Sequence, residues 1–156
     1  MLYFAYGSNL NRKQMKRRCK ESKYIGCHTL KNYKLAFRKK YYGGGVADIE
    51  KKKNSTVLGA IYNISKSDEK ILDVYEDFPS MYTKKYFKIF EKKVMFYYMP
   101  KKTKPNLPAK IYLNKIIQGY KDCGYKNSYI MISRNKKIKI RWKFLTVLCF
   151  LTRKCY

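Results

Sequence analysis

Leu2-Tyr3-Phe4-Ala5-Tyr6 is an uninterrupted apolar and aromatic run, and Gly7-Ser8-Asn9 ends it abruptly. A strand with one wet face would alternate, so a continuous run bounded by turn residues predicts a short strand covered on both faces. Asn11 to Lys20 follows as a short, strongly basic helix with Met15 and Cys19 four apart on one side. The chain therefore opens as strand, glycine turn, helix.

The rest of the pattern is mixed. Tyr33, Leu35 and Phe37 alternate with Lys34, Ala36 and Arg38, which predicts a half-buried strand, and Gly43-Gly44-Gly45 reads as a turn before Val46 to Ile49. Lys51-Lys52-Lys53-Asn54-Ser55 reads as polar and turn-like, and Val57 to Ile64 as a further strand pairing as a hairpin. Ser65 with Asp68 three residues on has the form of a capping box and predicts a helix that Pro79 stops. Tyr86 to Phe90 and Val94 to Met99 are two more strands, and Ala109 to Cys123 is a helix with Tyr112, Ile116 and Tyr120 at helical spacing. Strands and helices in this order predict an α+β architecture.

A chain of 156 residues fits one domain with a core of its own, and 46% hydrophobic residues exclude a disordered chain. The charge balance is 37 Lys plus Arg against 10 Asp plus Glu, a net +27. By itself this points to an anionic partner, although Lys, Asn, Tyr and Ile share AT-rich codons and the excess equally fits base composition. Five of the ten acids (Asp68, Glu69, Asp73, Glu76, Asp77) lie in one ten-residue window, and Asp122 is the one acid after Glu91. Cysteines 19, 27, 123, 149 and 155 form no C-x-x-C, so they are expected to be reduced thiols of a cytoplasmic protein. No run approaches the ~20 apolar residues that span a bilayer, so no membrane association is expected. With a single histidine, His28, and no ligand spacing, no metal site is expected.

Two places can carry chemistry. A buried strand ending in Tyr6-Gly7-Ser8-Asn9-Leu10 at a helix start aims consecutive N–H groups at one point, where a carboxylate or oxyanion can sit. The same turn is common as plain structure. Glu76 lies one helical turn after Leu72 and shares its inward face. A carboxylate aimed at a core has its pKa raised and suits a general base, unless it is simply an ion-pair partner for a lysine. The glycine run 43–45 lacks P-loop spacing.

The residues then resemble the gamma-glutamylcyclotransferase-like family, which includes the gamma-glutamylamine cyclotransferases. The resemblance begins at Tyr3-Phe4-Ala5-Tyr6-Gly7-Ser8-Asn9-Leu10, continues through Gly45-Val46-Ala47-Asp48-Ile49 and Val57-Leu58-Gly59-Ala60-Ile61-Tyr62-Asn63-Ile64, and reaches Leu72-Asp73-x-x-Glu76 with Met81-Tyr82. It ends in Pro108-Ala109-Lys110-Ile111-Tyr112 with Gly119 and Gly124. This resemblance implies a small mixed β-barrel with flanking helices and a pocket at one end. It implies Glu76 as the catalytic acid/base, Tyr3, Phe4, Ala5, Tyr6, Gly7, Ser8, Asn9 and Leu10 around the substrate, and Tyr82, Tyr98 and Tyr112 as further pocket residues. Three positions depart from the family pattern: Asp77 for a glycine, Ala109 for a serine and Leu58 for a tryptophan.

The implied activity is cleavage of a gamma-glutamyl amino acid or amine by ring closure to 5-oxoproline. The implied partner is a small gamma-glutamyl substrate, with no cofactor. Two other readings stay open: a basic nucleic-acid-binding module acting through non-specific charge, and an inactive small-molecule binder of the same fold. The expected domain spans residues 1–132, and residues 133–156, where no acid occurs, form a basic C-terminal extension whose Ile138, Ile140, Trp142 and Phe144 alternate with cations. Oligomeric state is not legible.

Overall fold

The computed structural model describes residues 1–41 and 43–125. Five strands and three helices follow in chain order: β1 (Leu2–Ala5), α1 (Arg12–Arg18), β2 (Lys23–Lys39), β3 (Gly45–Asn63), α2 (Lys66–Tyr75), β4 (Thr83–Ile89), β5 (Lys92–Tyr98) and α3 (Lys110–Asp122). A 3-10 turn at Ser8–Leu10 joins β1 to α1. The basic segment 133–156 expected as an extension lies outside the described residues.

One mixed sheet has the order β2-β3-β1-β5-β4, with β1 antiparallel to β3 and parallel to β5. The first strand is therefore the middle one, which is why Phe4 and Ala5 are fully buried. Its continuous apolar run reflects cover from both sides.

The expected barrel is corrected to an open sheet. The edge strands β2 and β4 approach through side chains, His28 stacking on Phe87 at 5.8 Å, yet they are not paired as strands. Sheet twist curls the edges toward each other, and aromatic rings fill the gap where backbone hydrogen bonds would close a barrel.

The second correction concerns β2 and β3, which form one long hairpin rather than several short strands. Its ladder runs from Lys39↔Gly45 to Lys23↔Asn63. The polar Lys51–Ser55 run does not end the strand. Between the pairs Tyr33↔Lys51 and Lys31↔Thr56, Asn32 alone on β2 faces residues 52–55 on β3. Asn32 and Asn54 take left-handed φ of 62° and 61°, and the Asn54 N–H donates to the Asn32 side chain at 3.2 Å. Asparagine tolerates that conformation, so the bulge is accommodated without ending the strand.

The reduced-thiol expectation is also corrected: Cys27 and Cys123 are joined as a disulfide, with Cα atoms 5.6 Å apart and 96 residues between them in sequence. Cys19 is free and buried, and Cys149 and Cys155 lie outside the described residues. Among the described residues, no helix is long and apolar enough to cross a membrane.

Helix α3 docks on the turn after β1 through Gly119. A Cβ there would lie 2.6 Å from Leu10 Cγ, 2.7 Å from the Leu10 carbonyl carbon and 2.8 Å from the Asn11 nitrogen. Two of those atoms are backbone and cannot rotate away. Gly119→Ala is therefore expected to lower unfolding free energy by about 1–3 kcal/mol despite alanine's better helix propensity. Urea denaturation checks this, and an unchanged midpoint would mean that α3 does not rest on the turn through this glycine.

Candidate active site

The site is assembled where several chain segments meet. β1 delivers the turn, α2 delivers a carboxylate, and β3 with α3 supply the opposite wall. Together they line a cavity of about 90 Å³, room for several waters. That space suits an amino-acid-sized group.

The turn is built by ordinary helix-start chemistry. Leu10 N–H donates to the Gly7 carbonyl at 3.0 Å and Asn11 N–H to the Ser8 carbonyl at 3.2 Å. Asn11 then caps α1, its side-chain oxygen accepting from Gln14 N–H at 2.8 Å. Among the described residues, nothing accepts the N–H groups of Gly7, Ser8 or Asn9. Such free donors at the start of a helical turn form an anion cradle. Gly7 is packed so that a Cβ would stand 3.3 Å from Ala47 Cβ and 3.4 Å from the Tyr112 hydroxyl, which keeps the backbone close to the cavity.

Glu76 arrives from the end of α2. Ser65 caps that helix, accepting from Asp68 N–H at 3.0 Å, and Leu72 on the same face is fully buried. Glu76 is the C-cap, its N–H donating to Leu72 O at 2.8 Å. Asp77 follows with φ of 50°, the left-handed C′ position that glycine fills most easily. The glycine that the family resemblance implies at this position would take that conformation without strain, and Asp77 adopts it in its place. An ion pair from Lys40 at 2.9 Å holds the Asp77 carboxylate.

The Glu76 side chain points back into the cavity, although the residue as a whole keeps partial exposure at the helix end. Its Oε1 accepts from Asn9 Nδ2 at 3.1 Å. Burial raises its pKa from 4.5 to about 7, against the opposing charges of Arg18 and Lys40, and Asp77 adds to the rise. The negative end of the α2 dipole acts in the same direction. A carboxyl group poised near neutrality can both take and return a proton.

Tyrosines form the walls. Tyr82 hydroxyl donates to the Ala47 carbonyl at 2.6 Å, while Ala47 N–H donates to Tyr112 oxygen at 3.0 Å, so one residue of β3 anchors two rings. Tyr6 hydroxyl donates to the Tyr97 carbonyl at 2.7 Å, and Tyr97 hydroxyl donates to Asp73 at 2.5 Å. Burial pushes the pKa values of Tyr3, Tyr6, Tyr82, Tyr97 and Tyr112 upward, so all remain protonated hydroxyls.

Of the residues singled out from the sequence, Tyr3, Tyr6, Gly7, Ser8, Asn9, Glu76, Tyr82 and Tyr112 meet around this cavity. Phe4, Ala5 and Leu10 do not line it; all three are fully buried in the core. Tyr98 also lies elsewhere, beside Phe96 and under the Lys85 ammonium at 4.3 Å. Tyr97 takes the wall position instead, because adjacent strand residues face opposite ways and a shift of one exchanges the faces. Lys40, Val46, Ala47, Tyr75 and Tyr97 line the cavity without having been read from the sequence. Tyr97 shares a strand face with Met95, the β5 partner of Tyr3, a register that only the strand pairing sets. Nothing in the local pattern marks Lys40 or Tyr75. His28 stays on the outer aromatic contact with Phe87, and among the described residues no cluster of three or more His, Cys, Asp or Glu could hold a metal ion.

Residues 3–115 match the family model described as gamma-glutamyl cyclotransferase, AIG2-like. Among solved structures, the chain is similar to one described as a gamma-glutamyl cyclotransferase, with 27% identity over 81% of each chain and a TM-score of 0.73. It is equally similar to an uncharacterized protein from Homo sapiens, 27% identical over 82% of each chain with a TM-score of 0.72. YkqA from Bacillus subtilis shares the fold at 23% identity and a TM-score of 0.65, over 78% of this chain and 48% of that one. No curated protein matches the chain.

Proposed function

The chain belongs to the AIG2-like gamma-glutamyl cyclotransferase family, and from that premise we propose that it releases 5-oxoproline from a gamma-glutamyl amino acid or amine. The observation that carries this reading is the meeting of Glu76, with its pKa near 7, and the unpartnered N–H groups of Gly7, Ser8 and Asn9 in one cavity. A base and an oxyanion cradle lining one cavity are what intramolecular aminolysis needs.

In this reading the substrate's α-nitrogen attacks its own γ-carbonyl carbon. The new C–N bond closes the lactam, and the bond from that carbon to the leaving nitrogen breaks. Two protons leave the α-ammonium and two arrive on the departing amine; Glu76 carries them and ends as it began. Because attacking and attacked atoms share one molecule, the protein contributes by folding the chain into attack geometry. The turn N–H groups stabilise the oxyanion that develops on the γ-carbonyl oxygen. A cytoplasmic setting is part of the same proposal.

A panel of gamma-glutamyl amino acids and gamma-glutamyl amines scored for 5-oxoproline tests the reading. Multiple turnovers on at least one member are expected. Stoichiometric binding without product would point to an inactive binder, and salt-sensitive association with nucleic acid unaffected by these compounds would favour the charge-driven alternative.

A further inference from the structure

Helix α1 carries five cations, and four of them, Arg12, Lys13, Lys16 and Arg17, are exposed. Arg18 differs: it is half-buried and turned toward the site. Its guanidinium lies 3.3 Å from the Tyr75 ring centroid, and one of its nitrogens, Nη1, donates to Ser8 Oγ at 3.3 Å and to Asn9 Oδ1. Arg18 touches neither Glu76 nor the open cavity, yet it reaches the residue that holds Glu76.

A guanidinium has donors and no acceptor, so the atom of the Asn9 amide that faces it must be the oxygen. The amide is planar, and fixing Oδ1 sends Nδ2 to the other side. There Nδ2 donates to Glu76 Oε1 and to the Tyr3 hydroxyl oxygen, at 3.1 Å each. A flipped amide would set an oxygen against the carboxylate and an N–H against the cation. We infer that Arg18 is a positioning residue, which locks the Asn9 amide in the orientation that presents a donor to Glu76.

The consequence reaches the ligand. With Oε1 occupied, the second Glu76 oxygen is left to exchange protons. Tyr3 oxygen is already an acceptor, and among the described residues nothing takes its proton. That hydroxyl therefore offers a donor to the bound molecule. One cation thus sets the proton direction at a base and at a donor that it does not contact. The catalytic consequence rests on Glu76 carrying the protons; the amide orientation does not.

The test compares Arg18→Lys, Asn9→Ala and the double variant, using γ-glutamyl-alanine as substrate, with folding checked by circular dichroism. Lysine keeps the charge, but its single ammonium nitrogen cannot lie over Tyr75 and also reach Ser8 and Asn9, as the guanidinium does with its plane on the ring and Nη1 at its edge. Arg18→Lys is expected to lower kcat about 10-fold or more with KM within about twofold, and to leave the acid limb of the pH profile in place. Arg18→Ala should move that limb to higher pH, because a charge that favours the carboxylate is gone, and added guanidinium should restore part of the rate. In the Asn9→Ala background, Arg18→Lys should change kcat by less than about twofold. By NMR, the Asn9 side-chain amide protons should exchange slowly in the wild type and rapidly in Arg18→Lys. Multiplying single effects, or unchanged Asn9 amide signals in Arg18→Lys, would overturn the proposal. If the dipeptide is not turned over by any form, the NMR comparison still decides the orientation, and the failure belongs to the cyclotransferase reading.

Discussion

Glu76→Gln is expected to lower the rate of 5-oxoproline release about 10³-fold and, at pH 8, to unfold at a higher denaturant concentration than the wild type. Both effects come from one cause. Burial raises the Glu76 pKa from 4.5 to about 7, so between those values the folded protein holds a proton that the unfolded chain has released. Stability therefore falls as pH rises through that window and is flat above it. Glutamine carries no charge and escapes this penalty. After allowance for the partial exposure of Glu76, the difference at pH 8 is about 2 kcal/mol in favour of the variant, and it should vanish below about pH 4, where both states are protonated. Denaturant titrations at the two pH values measure it. A rate equal to wild type would remove Glu76 from the chemistry, and a pH-independent stability difference would mean that its carboxyl is not desolvated.

The largest loss of stability is expected at Asp48. Its side chain is fully buried in β3 and accepts from Met99 N–H at 2.9 Å, while Lys102 approaches at 2.8 Å and Arg38 at 3.3 Å. Asp48→Ala strands the Met99 donor and leaves two cations without their shared carboxylate. Removing one partner of a buried pair costs about 3–5 kcal/mol, and the partial exposure of Lys102 puts the expectation near the lower figure. Against a domain stability of about 5–15 kcal/mol this is a large fraction. Asp48→Asn can keep the Met99 hydrogen bond and should cost less. The neighbouring Ala47 holds Tyr82 and Tyr112, so the alanine variant should also bind a gamma-glutamyl ligand more weakly than the asparagine one. Thermal unfolding and ligand titration of the two variants report both effects, and equal stabilities would show that the hydrogen bond to Met99 N–H contributes nothing.

Local chemistry was legible in advance wherever a short-range rule acts. The buried first strand, the Ser65 cap, the placement of Glu76 on the Leu72 face and the glycine turn at a helix start all follow from neighbours within a few residues. Asp77 and Ala109 show the same logic in reverse. Asp77 occupies a left-handed helix end, and Ala109 stands at the N-cap of α3 without a side-chain hydrogen bond, a place where serine would cap. At both positions the backbone favours the residue that the resemblance implies, and nothing in the structure explains the one present.

What could not be read depends on long-range placement. Hydrophobic pattern reports which residues are covered, not which edge a strand pairs with, so an open sheet curled toward closure and a closed barrel have the same signature. The Cys27–Cys123 pairing joins residues 96 apart, and its partners are set by where β2 meets the end of α3. The exchange of Tyr98 for Tyr97 follows from strand parity, which a fixed register decides. Arg18 is one of five cations on its helix by sequence, and only the packing of α1 beside the turn and the end of α2 separates it from the solvated four. Most segments and the inward face of Glu76 obey local periodicity, and the residue order alone therefore fixes them. Which groups share the cavity, and how their hydrogen bonds are directed, emerges only in the folded chain, because those contacts join residues that no local rule connects.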